Sequence, residues 1–159
     1  MGVGKTTVCQ ILKKKLDNSV FLDGDWCWDM SPFQVTEETK AMVLENITFL
    51  LNNFIRCSSY ENIIFCWVMH EQKIIEDILS GLDTKECQVL SVSLVCSPKA
   101  LEKRLRRDVE NGIRGEDVVA RSLGRISLYE GLDTVKIDMS DLSPQEAAEK
   151  VAGLSWTRP

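Results

Sequence analysis

The chain has 159 residues, 44% of them apolar, and a net charge of −5. That is enough for one domain with a buried core, and the charge argues against a general nucleic-acid binder. No apolar run nears the roughly 18 residues of a membrane span, so neither a membrane segment nor a signal peptide is expected.

The cysteines (Cys9, Cys27, Cys57, Cys66, Cys87, Cys96) show no C-x-x-C or Cys/His metal spacing. Several lie inside apolar runs and read as reduced, buried, small hydrophobes of a cytoplasmic protein.

The first element is a loop and a helix. Gly2-Val3-Gly4-Lys5-Thr6-Thr7 matches the second half of the phosphate-binding pattern G-x-x-x-x-G-K-[ST]. Glycines let successive N–H groups point into one concavity. Lysine sets a charge on the β/γ-phosphates, and the following hydroxyl ligates Mg²⁺. A helix from Val8 to Leu16 then aims the positive end of its dipole at the anion. The plain alternative is a chance G-x-G-K-T, so the downstream residues decide its weight.

Asp17-Asn18-Ser19 turns the chain, and Val20-Phe21-Leu22 reads as a short strand ending in Asp23-Gly24-Asp25. In extended backbone both carboxylates point to one side, about 7 Å apart. Phosphoryl transfer needs one carboxylate near Mg²⁺ and another to orient, or take a proton from, the attacking hydroxyl. Asp23 is assigned to the metal and Asp25 to the acceptor, against the alternative of a simple Asx turn. Trp26, Trp28 and Asp29 come next and are candidates to wall a substrate pocket, or ordinary packing.

A long helix runs from N-cap Thr36 to Ile55. Asn62–Met69 is a nearly unbroken apolar strand, as expected when both faces are covered. Glu71–Ser80 is helical and stops at Gly81. Val89–Val95 is a strand, and Ser97-Pro98 opens a helix to about Glu110. Asn111-Gly112 breaks it, and Asp117 to about Tyr129 is helical again. Thr134–Met139 is a strand, and Ser143-Pro144-Gln145-Glu146 is a capping box opening a last helix to about Gly153. Alternating strands and helices predict an α/β fold, a parallel sheet with helices on both faces. Ligands then gather at the carboxyl ends of its strands.

Residues 99–125 hold eight Lys/Arg against five Asp/Glu, inside an otherwise acidic chain. Such a segment suits nucleotide phosphates, and a mobile arm of arginines can close over the charge that spreads in phosphoryl transfer. Gly112 and Gly115 flank Arg114 as flexible points. Arg104, Arg114 and Arg125 are assigned functional roles. Arg121 is left open between function and surface pairing, and Arg106 is read as a surface ion pair.

Together G-x-G-K-T-T, F-L-D-G-D, L-V-C-S-P-K-A-L-E-K-R-L and D-V-V-A-R-S-L-G-R-I-S-L-Y resemble a P-loop kinase of the nucleoside/shikimate/gluconate kinase group. The resemblance covers nearly the whole chain as a single domain, residues 1–159, with a lid at about 104–125. It implies ATP and Mg²⁺ as cofactors, a small-molecule acceptor, and no nucleic-acid or membrane partner. By resemblance the first carboxylate of D-x-D serves the metal and the second the substrate. Arg104 packs on adenine and Arg125 contacts phosphates. The implied sheet order is 2-3-1-4-5, counting the strand ahead of the loop as 1.

Three departures stand out. Met69-His70-Glu71 replaces the usual Walker B aspartate, leaving a metal role for Glu71 a guess and His70 by default a strand-end residue. The glycine-rich turn of shikimate kinases is absent, which argues against shikimate. The central strand is missing, which leaves a gap of roughly 10 Å, two strand spacings. Each polar group left unpaired there costs on the order of 1–3 kcal/mol. The expectation is that Met1 is an internal methionine of a longer reading frame, or that something else fills the gap. A nucleotide-binding module without phosphotransfer is the alternative function. An ATPase machine of the AAA type would bring a sensor motif and an oligomerising helical domain, and neither is read here.

Overall fold

The computed structural model describes residues 2–155, leaving out the side chain of Ser155; Met1, on which the reading-frame expectation falls, lies outside the described residues. Helix α1 (Lys5–Lys15) leads to β1 (Ser19–Asp23), a 3-10 turn (Gly24–Trp28) and α2 (Glu37–Arg56). Then come β2 (Asn62–Cys66), α3 (Gln72–Ser80), β3 (Val92–Val95), α4 (Pro98–Glu110) and α5 (Asp117–Leu123). A second 3-10 turn (Ile126–Tyr129), β4 (Val135–Asp138) and α6 (Pro144–Ser155) complete the order.

Local chemistry sets the helix starts. The Thr36 N–H donates to Thr39 Oγ1 at 2.9 Å, while Thr36 Oγ1 accepts from the Thr39 N–H at 3.1 Å. Ser97 Oγ accepts from the Ala100 N–H at the start of α4, with Pro98 at its first position. Ser143 and Glu146 exchange the reciprocal bonds of a capping box, 2.8 and 3.2 Å, before α6. Each satisfies N–H groups that have no partner inside the helix.

Two expected elements are shorter. Asn62–Met69 is strand only to Cys66, and Val89–Val95 only from Val92. Their apolar extensions lie beyond the reach of a partner strand: β1 pairs with β2 only to Asp23–Cys66, and β4 with β3 only from Val135–Val92. The helix expected to reach Tyr129 ends at Leu123, and the chain resumes as a separate 3-10 turn after Gly124 and Arg125.

All strand pairs are parallel, β1 with β2 and β3 with β4. Side chains alternate across β1. Phe21 joins Cys9 of α1 and Cys66 of β2 on one face, and Leu22 packs with Val43, Ile47 and Leu51 of α2 on the other. The opposite half of the molecule is a second core, built from Val8 and Leu12 of α1, Leu101 and Leu105 of α4, Ile137 and Met139, and the alanines of α6. Helices thus cover both faces, and the architecture is the expected α/β fold.

The spatial order, β1-β2 then β3-β4, follows the implied 2-3-1-4-5 with its central position left as a slot. No ladder joins β2 to β3. The slot holds about 430 Å³ and is lined by Ile63–Cys66 of β2, Val92–Val95 of β3, and Val8 and Leu12 of α1. Facing strand edges with apolar walls are the environment a further parallel strand satisfies.

A candidate phosphate-binding site

The loop ahead of α1 turns on left-handed backbone. Gly4, at φ 104° and ψ 19°, is the residue before the helix, and Gly2 is at φ 76°. Side chains rarely adopt such angles, so glycine is what lets the chain enter α1 here. No side chain caps α1, and its first turn carries no acidic residue. Its first N–H groups are therefore left for an anion.

A pocket of about 360 Å³ opens over this loop. It gathers Gly2, Val3, Gly4, Lys5, Thr6 and Thr7 with both aspartates, Asp23 and Asp25, and with Arg104 and Arg114 of the basic segment. Arg125 is not among its lining residues. Its guanidinium acts instead on two other side chains. Burial lowers the His70 pKa and Arg125 adds to that, whereas burial raises the Tyr129 pKa and Arg125 opposes it. The structure also brings in residues that sequence reasoning did not assign: Arg107, on the helix face of Arg104, and Trp67, just past the end of β2. The three-residue spacing of Arg104 and Arg107 was the available signal; Trp67 left none.

Asp23 ends β1 with only 5% of its surface exposed. Its Oδ2 accepts a 2.7 Å hydrogen bond from Thr6 Oγ1, and its Oδ1 accepts the Asp25 N–H at 3.1 Å. The second bond corrects the expectation of extended backbone through Asp25. Asp23 caps a 3-10 turn, and the Asx turn and the shared pocket coexist. Asp25 sits on that turn, exposed, facing the same cavity. Gly24 between them admits no side chain, because a Cβ would stand 2.5 Å from Cγ of Trp67.

Thr6 Oγ1 and Asp23 Oδ2 form a pair of hard oxygen donors beside the loop. That fits Mg²⁺, which takes one or two protein oxygens and fills the rest of its octahedron with water and phosphate. Among the described residues no group of three His, Cys, Asp or Glu side chains forms a metal cluster, so a dedicated protein cage is not on offer.

Arg104 crosses from α4 to the loop. Its guanidinium donates to the carbonyls of Met139, at 2.5 Å, and Val3, at 3.4 Å, tying the end of β4 to the loop backbone. Arg114 pairs with Asp108 at 3.2 Å. Arg106 pairs with Glu102 at 2.6 Å and Arg121 with Asp117 at 3.2 Å, both on exposed helix faces. His70 and Glu71 meet each other at 3.4 Å and lie outside the pocket lining. Cys9 and Cys66 hydrogen-bond to one another, which with burial pushes the Cys66 thiol pKa far up. Cys9, Cys66 and Cys96 are buried as expected, whereas Cys87 is exposed.

The AAA_18 family model, described as an AAA domain, matches residues 1–124, from the loop through the arginine segment. The chain belongs to this family. Its description brings the chain under the AAA heading, which the sequence argued against as an ATPase machine. Several similar solved structures carry kinase or resistance-protein names. The Deinococcus radiodurans tunicamycin resistance protein superposes with a TM-score of 0.70 at 19% identity, covering 99% of this chain and 91% of that one. A sugar kinase from a Janibacter species gives 0.71 at 15% identity, covering 98% and 88%. A gluconokinase from Sinorhizobium meliloti gives 0.69 at 17% identity, covering 98% and 87%. At these identities they establish a shared fold. No curated protein sequence matches. Among the described residues no helix is long and apolar enough to cross a membrane.

Proposed function

We propose that this chain is an ATP- and Mg²⁺-dependent cytoplasmic kinase, a single domain with a lid at about 104–125. It transfers the γ-phosphoryl group of ATP to a hydroxyl or phosphate of a small molecule. The observation that carries the reading is the 2.7 Å contact of Thr6 with Asp23 at the loop, with Asp25 in the same pocket.

In this reading the amides of Gly2–Thr7 and the Lys5 ammonium hold the β- and γ-phosphates. Thr6 and Asp23 hold Mg²⁺, which when bound neutralises charge on the phosphate oxygens. Asp25 orients the acceptor hydroxyl and takes its proton. The acceptor oxygen bonds to the γ-phosphorus, and the bond from that phosphorus to the departing ADP oxygen breaks. Arg104 offers its guanidinium face to adenine, and Arg114 neutralises charge on the transferring group. Closure of the lid brings Arg125 to the phosphates, away from His70 and Tyr129.

Isothermal titration with ATP and Mg²⁺ tests the site. Binding that Lys5→Ala weakens by about 30-fold or more, roughly 2 kcal/mol, supports it, and unaltered binding refutes it. A second reading, nucleotide binding without transfer, is favoured by Met69-His70-Glu71, which places no carboxylate from the end of β2 in the pocket. ADP release across a panel of metabolites and nucleosides separates the two.

A further inference from the structure

Cys9 and Cys66 are brought together by the fold and serve no step of the proposed transfer. Cys9 lies in the second turn of α1, and Cys66 is the last residue of β2. With Phe21 they form a small buried cluster between that helix and the β1–β2 pair. The two thiols hydrogen-bond to one another. Cys96 belongs to the other core, and Cys87 is exposed. Burial alone asks only for a small apolar side chain, which alanine supplies as well as cysteine. It does not account for two sulfurs meeting across a helix and a strand.

The pair adjoins the phosphate site. Cys9 follows Thr6 by three residues on α1, and Cys66 pairs with Asp23 in the β1–β2 ladder. The 2.7 Å contact of Thr6 with Asp23 thus joins the same helix to the same sheet, one turn nearer the loop. Both thiols line the slot between β2 and β3. Lys5, one turn before Cys9, and Trp67, next to Cys66, border the loop pocket as well. These cavities give a small oxidant a path to sulfurs that are otherwise buried. Disulfides of cytoplasmic proteins are typically of this transient, sensing kind rather than structural.

We infer that Cys9 and Cys66 are a redox modification site: peroxide joins them in a disulfide that tethers α1 to β2 and weakens the loop's hold on Mg²⁺ and nucleotide. One sulfur, as its thiolate, attacks a peroxide oxygen. The O–O bond breaks, and the departing hydroxide takes up the proton that this thiol gave up, leaving as water. The second sulfur attacks the sulfenic acid so formed, and its proton leaves with the hydroxyl as a second water. The two thiols lose two electrons, and one hydrogen peroxide gains them. A disulfide holds its sulfurs about 2.05 Å apart, closer than hydrogen-bonded thiols, so α1 is drawn toward β2 and Thr6 shifts against Asp23. Thiol reductants reverse the change by exchange. The consequence for nucleotide rests on the kinase reading, whereas the linkage itself does not.

Linkage and affinity are read separately on the full chain. The protein is treated with hydrogen peroxide, digested without reductant and weighed by mass spectrometry. A peptide joining Cys9 to Cys66, two hydrogen masses lighter than the separate pair and split by dithiothreitol, is the expected result. Isothermal titration with ATP and Mg²⁺ then gives an affinity at least tenfold weaker for the oxidised chain, restored by dithiothreitol. Cys9→Ala and Cys66→Ala, each alone, keep the reduced parent's affinity before and after peroxide. In a glutathione redox buffer, ATP with Mg²⁺ shifts the parent toward the free thiols, because coupling between two binding events is reciprocal. Linkage in a chain that binds no ATP in either state would remove the kinase reading and leave the modification site standing. ATP binding with no Cys9–Cys66 peptide at millimolar peroxide, or with the peptide formed and affinity unchanged, overturns the inference. An equal loss of affinity in peroxide-treated Cys9→Ala overturns it as well.

Discussion

Two cavities of this molecule share a wall and differ in their chemistry. Val3, Lys5 and Trp67 border both. On one side lies the loop pocket, with Asp23, Asp25 and three arginines. On the other lies the slot between β2 and β3, walled by Ile64, Leu94, Val8 and Leu12. The first presents charged side chains and helix N–H groups without a side-chain cap, a setting that suits an anion and its cation. The second presents strand edges and apolar side chains, a demand that backbone meets. The same few residues therefore stand between a chemical site and a structural one.

The largest expected effect belongs to the chemical side. Asp25→Asn keeps the size of the side chain and removes its capacity to take a proton, so kcat falls about 10²- to 10⁴-fold, the range of general-base catalysis. ATP affinity stays the same, because Asp25 does not touch the loop N–H groups. A kcat that survives the change would move Asp25 from chemistry to packing. Lys5→Ala should show the opposite pattern, with nucleotide affinity lost first.

The structural side should answer to a strand and be indifferent to charge. A six-residue Val/Ile-rich segment fused ahead of Met1 buries branched side chains at roughly 1.5–3 kcal/mol each. Ordering costs about 1–2 kcal/mol per residue, which offsets much of that gain, and pairing of the two strand edges adds to it. The urea midpoint should rise with the apolar segment and stay put with a Ser/Lys segment of equal length. Equal midpoints for the two fusions would mean that the slot does not take a strand.

The sequence carried the chemical side well and the structural side only by analogy. The loop, the D-x-D pair and Arg104 are short-range patterns whose residue types follow from phosphate chemistry, and all fall in one pocket. Alternation of strands and helices was readable because each run is bounded by caps and turns that act locally. The 3-10 turn at Gly24–Trp28 was not, because it depends on one carboxylate choosing the Asp25 N–H. Nor was the placement of Trp67, which is set by the absence of a side chain on Gly24, a neighbour only in space. The surroundings of Arg125 were not legible either: the resemblance implied a phosphate contact, and only the packing brings its charge to bear on His70 and Tyr129.

The smallest expected effect tests that last contact. Burial and then the Arg125 guanidinium lower the His70 pKa, while Glu71 at 3.4 Å pulls the other way. A histidine whose pKa is lower folded than unfolded binds more protons when unfolded, so stability rises with pH through the interval between the two values. Its contribution is complete above the unfolded value of about 6.5 and is lost as pH falls below that toward the folded value. His70→Gln removes the titration, so its urea midpoint should drop less than that of the parent between neutral and mildly acidic pH. Arg125→Gln removes part of the cause, so the parent's loss should begin at the same pH and be shallower. If both variants track the parent, the acid sensitivity belongs to other groups, and the placement of Arg125 beside His70 has no energetic weight.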